Sequence, residues 1–110
     1  MVMRFCVHNA FNDGVDDPQA RMVSAVVEGV RTICVYVPNG GELGSDKWQY
    51  KLEWYGRLRR WLDTNVDPSE KVVLCGDFNV APTRLDIGIG EQNIKRWLRD
   101  GKTAFLPEEI

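Results

Sequence analysis

Lys71-Val-Val-Leu-Cys-Gly-Asp77-Phe-Asn79-Val-Ala-Pro82 is the stretch on which the reading of this chain turns. Val72 to Cys75 form a short apolar run, closed by Gly76 and followed by an acid and an amide two residues apart. That pattern predicts a buried strand whose exit carries polar side chains. Alternate residues of an extended chain project the same way, so Asp77 and Asn79 can present a carboxylate and a carboxamide to one small volume. A carboxylate can activate water or hold a divalent cation, and an amide can orient that acid or donate to a phosphate oxygen. Asp and Asn also gather in turns, where their side chains bond nearby backbone, and Pro82 suits a strand-to-loop transition. Both readings stand on this stretch alone.

Working outward, the helix-to-strand approach to Lys71 is clear. Trp48, Leu52, Tyr55, Leu58, Trp61 and Leu62 recur at helical spacing, predicting an amphipathic helix over 48–62. Its remaining positions carry Lys47, Lys51, Arg57, Arg59 and Arg60, a basic set that suits either a phosphate or a solvated face. Upstream, Met22 to Val27 and Val30 to Val37 read as β-branched strands joined by the two-residue turn Glu28-Gly29. The second strand is apolar on both faces and is expected in the sheet interior. It exits through Pro38-Asn39-Gly40-Gly41. Tyr36 therefore stands at a strand end as Asp77 does, although a tyrosine on an interior strand is also a common core residue with its hydroxyl at the rim. Strand, crossover helix, strand is the pattern of a parallel or mixed sheet with helices outside it.

The flanks are less regular. Asp13, Asp16 and Asp17 precede Pro18 in a composition that suits a mobile loop, and His8, the one histidine, is isolated there. Asp86-Ile-Gly-Ile-Gly-Glu91 lacks the spacing of a dinucleotide loop and reads as an ordinary loop. Asn93 to Leu98 is expected as one or two helical turns, and Phe105 to Ile110 as the opening of another helix.

Length and composition bound the rest. The 110 residues are 44% hydrophobic and 27% charged, the composition of one globular domain with one core. Cys6, Cys34 and Cys75 form no zinc pattern and are expected as small core residues in a reducing compartment. The N-terminal Met1 to Ala10 shows no signal-peptide pattern, so a cytoplasmic location is expected. A net charge of −2 excludes arguing a nucleic-acid partner from global electrostatics.

Three separated segments together resemble the exonuclease III (AP endonuclease) family of the endonuclease/exonuclease/phosphatase superfamily: Asp17-Pro-Gln-Ala-Arg21, Val35-Tyr-Val-Pro-Asn-Gly40 and Gly76-Asp-Phe-Asn-Val-Ala-Pro82. Leu85 to Glu91, Lys95 to Leu98 and Phe105 to Glu109 resemble it again. The resemblance covers 17–110 as the central part of the family's domain, with 1–16 a poorly matched N-terminal segment. It implies an α/β fold, part of a four-layered α/β sandwich of mixed β-sheets flanked by helices, incomplete in this chain. It also implies Mg²⁺-dependent (or Mn²⁺-dependent) hydrolysis of DNA phosphodiester bonds in base excision repair, by a monomer acting on double-stranded DNA at abasic sites and 3′ ends.

Carried over by position, Asp77 handles the attacking water or leaving oxygen, Asn79 orients water, metal and phosphate, and Tyr36 bonds the scissile phosphate. Asp77 and Asn79 are the expected metal ligands. Arg21, Asn39, Gln19 and Lys47 fall where such proteins approach DNA, as donors to its backbone. The family's metal-binding glutamate, further aspartates and catalytic histidine match no position here, so this chain alone is expected to be inactive. Two other readings remain: a non-catalytic fragment or binding remnant, and a phosphatase acting on phosphoinositide or sphingolipid. The segments at 17–21 and 36–40 and the run after Pro82 favour DNA over the lipid head group.

Overall fold

The hairpin is built on its turn. Glu28 and Gly29 both take positive φ (51° and 80°), the primed-turn geometry whose twist matches paired strands, and they join β2 (Met22–Val27) to β3 (Val30–Tyr36). The computed structural model describes residues 7–80 together with 92, 93, 95 and 96. β1 (Val7–His8) adds antiparallel to β2, and β4 (Lys71–Asp77) lies parallel to β3, giving a mixed sheet in the order β1-β2-β3-β4. The crossover between β3 and β4 is α1 (Asp46–Asn65), longer at both ends than the apolar stripe implies. Ser45 caps it, its Oγ accepting a hydrogen bond from Trp48 N at 3.2 Å. Gln92, Asn93, Lys95 and Arg96 are helical, whereas the loop at 86–91 and the helix start at 105–110 lie outside the described residues.

Two compact units are distinguished. The described residues of one fall within Met1–Val37 and Tyr55–Phe78, those of the other within Pro38–Trp54 and Asn79–Ile110. The first holds the sheet and the second half of α1. Its core is Phe11, Met22, Ile33, Val35, Val37, Leu58 and Trp61, with Ile33 fully buried. Large apolar side chains of this kind contribute about 1.5–3 kcal/mol each when buried. In the second unit, Trp54 and Lys51 are the buried side chains of the helix.

Alternation along β3 is clean: Ile33 and Val35 are buried while Thr32, Cys34 and Tyr36 are exposed. The expectation of two buried faces is thus corrected to one. β4 departs further, since every residue from Lys71 to Asp77 is exposed, Val73 by 48%. Its apolar run is that of a covered strand, but among the described residues it pairs with β3 alone and forms the sheet edge. Cys34 and Cys75, paired in register on the exposed face, are likewise not core residues, and Cys6 lies outside the described residues. Among the described residues no helix is long and apolar enough to cross a membrane.

The loop before β2 is pinned. Arg57 is buried and grips Asp13 with two nitrogens (2.7 and 3.3 Å) and Asp17 with a third (2.8 Å), its guanidinium 5.0 Å from the Phe11 ring centre. Two acids expected in a mobile loop therefore anchor it to α1, and Arg57 does not line a solvated helix face. A planar fork with five donors suits such a double acceptor better than an ammonium would. Losing it strands two carboxylates, so Arg57→Met is expected to cost about 2–3 kcal/mol in urea unfolding at neutral pH.

The Arg57 guanidinium beside Asp13 holds its carboxyl below its ordinary value of 3.8. A depressed folded-state value gives stability that is complete above 3.8 and lost as pH falls through the lower folded value. The urea midpoint is therefore expected to decline on acidification below about pH 4, and Asp13→Asn to flatten that decline.

Candidate active site

Parallel pairing brings two strand ends together. In the β3–β4 register Val35 faces Gly76 and Tyr36 faces Asp77, and the ladder continues with Val37 N donating to Asp77 O at 2.9 Å. Neighbouring strands lie about 4.8 Å apart, so the phenol and the carboxylate leave the same face of the sheet side by side. Open sheets bind ligands outside the carboxyl ends of their parallel strands, which is where this pair sits. Gly76 makes the register possible. It holds φ +129°, and a Cβ there would stand 2.0 Å from Val35 O. No other residue fits without separating the strands.

Tyr36 is 53% exposed, which settles it as a surface phenol and not a core residue. Its position is held from one side by the 17–21 segment. Arg21 donates to Tyr36 O at 3.0 Å and lies 4.8 Å from the ring centre, while Tyr36 N donates to Arg21 O at 2.8 Å. Arg21 Nε in turn donates to Gln19 Oε1 at 2.7 Å. Asp17, held by Arg57, accepts from Gln19 N at 3.0 Å. The segment therefore runs as a bracket from α1 to the phenol, with Arg21 supplying a cation beside the ring.

Tyr55 was legible in the sequence only as one position of the helix stripe. Its hydroxyl donates to Phe78 O, the carbonyl immediately after Asp77. Burial pushes its ionisation above the ordinary 10.0, and the Asp77 charge pushes it the same way. The phenol thus stays a donor through the whole neutral range.

In the second unit, Asn39, Lys47 and Asn79 are placed by other means. Asn39 is exposed, its Oδ1 accepting from Gly41 N at 3.2 Å in a side-chain-closed turn. Lys47 is exposed beside Gly41. Asn79 takes φ +47°, the left-handed region, and its carbonyl accepts from Lys51 Nζ at 2.7 Å. Lys51, expected on a basic solvated or phosphate-facing surface, is instead fully buried. Periodicity could not show this, because a lysine between stripe positions gives no sign of an acceptor 28 residues away.

Among the described residues no group of three or more His, Cys, Asp and Glu side chains gathers to hold a metal ion. Asp77 and Asn79 remain hard oxygen donors of the type Mg²⁺ takes, a cation that keeps several waters and borrows phosphate oxygens.

The sequence profile of the Endonuclease/Exonuclease/phosphatase family matches residues 5–107. The chain belongs to this family. It is 38% identical over 108 residues to exodeoxyribonuclease III of Haemophilus influenzae, covering 94% of this chain and 40% of that enzyme. It superposes on a 3′ phosphatase from Neisseria bound to a product DNA hairpin with TM-score 0.79 and 34% identity, over 98% of this chain and 39% of the other. For an AP endonuclease from Archaeoglobus fulgidus the TM-score is 0.68 at 34% identity, over 82% of this chain and 32% of the other. The chain thus spans about two fifths or less of the length of these relatives. The mixed sheet with its crossover helix is a part of their fold, and the family's exonuclease III members are phosphodiester hydrolases.

Tyr55 provides a direct check on the geometry. In an ultraviolet pH titration one phenol is expected to ionise above pH 10.0, and Tyr55→Phe to remove that late step. If Tyr55→Phe leaves the titration above pH 10.0 unchanged, Tyr55 is not buried beside the Asp77 charge in solution.

Proposed function

We propose that this chain supplies part of an Mg²⁺-dependent site that hydrolyses DNA phosphodiester bonds, in the manner of exonuclease III and AP endonucleases. The observation that carries the reading is Tyr36 beside Asp77 at the carboxyl ends of two parallel strands. In-line hydrolysis needs a base or leaving-group acid, donors for the oxygens that gain charge, and a counter-charge. Asp77 takes the first task, accepting a proton from water or returning one to the leaving oxygen. Tyr36 donates its hydroxyl to a phosphate oxygen, kept in place by the Arg21 bracket. Asn79 offers an amide nitrogen to phosphate and an amide oxygen to water or metal. Mg²⁺ held by Asp77 and Asn79 would supply charge neutralisation at the phosphate.

Arg21, Gln19, Asn39 and Lys47 are proposed to meet the DNA backbone around that point, positioning it without reading sequence. The partner is double-stranded DNA with abasic sites or 3′ ends, and the protein acts as a cytoplasmic monomer. The relatives at 34–38% identity are named for work on nucleic acid, which supports DNA over a lipid head group. The wider architecture is a four-layered α/β sandwich. The apolar exposed face of the sheet, with Val23, Val73 and the Cys34–Cys75 pair, fits a second sheet packed against it.

A second reading is a non-catalytic binding piece. One experiment separates the two. The purified chain is incubated with abasic-site duplex and Mg²⁺, with and without EDTA, and DNA affinity is measured in parallel. EDTA-sensitive cleavage that falls roughly 100-fold or more in Asp77→Asn, with affinity changed only a few-fold, supports the hydrolase. DNA binding without cleavage supports the second reading, and full turnover in Asp77→Asn removes Asp77 from its role.

A further inference from the structure

We propose that Lys51 is a positioning residue of the candidate site, its buried ammonium fixing the backbone of Asn39 and Asn79 and thereby aiming both carboxamides. The proposal rests on the reading of Asn79 as an active-site residue and goes beyond it by assigning what holds that residue.

A lysine of 0% exposure requires explanation, because an ammonium withdrawn from water persists only where acceptors replace its hydration. Two of them are main-chain carbonyls. Nζ donates to Asn79 O at 2.7 Å and reaches Asn39 O at 3.5 Å, while it lies 5.6 Å from the Trp48 ring centre. The two carbonyls belong to the two segments that carry the site's amides, Val-Pro-Asn39-Gly and Gly-Asp-Phe-Asn79. One side chain on α1 thus bonds both.

The neighbourhood is shaped for that side chain. At Gly40, φ is +86°, and an added Cβ would lie 2.8 Å from Lys51 Cδ and 3.1 Å from Trp48 Cε3. The glycine after Asn39 leaves the space through which the lysine stem passes. Asn79 itself sits at φ +47°, a left-handed conformation that asparagine adopts more readily than most residues with a Cβ but that still places a demand on its surroundings. A charge-assisted bond to its own carbonyl meets that demand. Because φ and ψ set the direction of the Cα–Cβ bond, holding the Asn79 carbonyl also sets where its carboxamide begins. A longer planar guanidinium would meet the same carbonyls less closely, and a methionine would fill the channel with no donor.

The test uses the isotope-labelled 110-residue chain. In the wild type, NMR is expected to show a slowly exchanging Lys51 ammonium with a through-hydrogen-bond coupling to the Asn79 carbonyl carbon. In Lys51→Met, the Asn39 and Asn79 carbonyl and side-chain amide resonances are expected to move toward random-coil positions, while exchange protection of the Val37 amide stays within about threefold. That pattern separates local aiming from general unfolding. Absence of the wild-type coupling overturns the proposal, even if Lys51→Met fails to fold; so do unchanged asparagine resonances in the variant.

Turnover on abasic-site duplex with Mg²⁺ gives the functional arm. Lys51→Met is expected to lose about tenfold or more in kcat with KM within about twofold, and Lys51→Arg to recover part of the loss. An unchanged kcat refutes the role. A 110-residue chain that does not cleave, as expected of one supplying only part of the site, leaves the decision to the NMR arm, which then alone determines whether Lys51 aims the two asparagines.

Discussion

The contact on which the candidate chemistry depends is backbone against backbone, Gly76 against Val35. Parallel strands must come together at one register for Tyr36 to stand beside Asp77, and a one-residue slip would turn one of them to the opposite face. A side chain at position 76 would occupy the space of the Val35 carbonyl. The glycine of the Gly-Asp-Phe-Asn segment is therefore part of the site in a geometric sense, though it contributes no functional group.

Within each unit, polar groups buried or half-buried on α1 do the holding. Arg57 fixes Asp13 and Asp17, and through Gln19 and Arg21 the same segment steadies Tyr36. Tyr55 bonds the carbonyl after Asp77, and Lys51 bonds that of Asn79. Apart from the Arg21–Gln19 side-chain bond, each ends on main chain or on a carboxylate of the segment before β2. The Tyr55 and Lys51 bonds fix the backbone next to the acid and at the amide, and with it the point from which each functional side chain starts.

Much of this was open to reading. The Glu28-Gly29 turn, the helix stripe from Trp48 to Leu62 and the strand before Gly76 all carry local signals, and turn chemistry and periodicity are local properties. The apolar runs put Tyr36 at one strand's end and Asp77 and Asn79 at another's exit, the family segments at 17–21, 35–40 and 76–82 suggested their roles, and the register pairs Tyr36 with Asp77. What stayed hidden depends on partners distant in sequence. Arg57 finds its acids 40 and 44 residues away, and Lys51 its carbonyl 28 away. A basic residue on a helix reads the same whether it meets water or a buried acceptor. The run Val72 to Leu74 misled in the opposite direction: its composition records a strand suited to cover on both faces, and the sheet presents it as an edge.

That mismatch bears on how the site is organised. An edge strand with exposed Val72, Val73 and Leu74 is an unstable arrangement in water unless something pairs or covers it. The candidate phenol and carboxylate sit at the end of the same exposed face as Val23, Val73, Cys34 and Cys75. A second sheet over that face, as in the proposed four-layered sandwich, would also narrow the space around the carboxylate. Electrostatic stabilisation of a phosphate is much stronger in such a water-poor space than on an open sheet. In the proposed hydrolase, folding energy and catalytic environment therefore come from the same layer, while register, bracket and helix anchors set the positions that layer encloses.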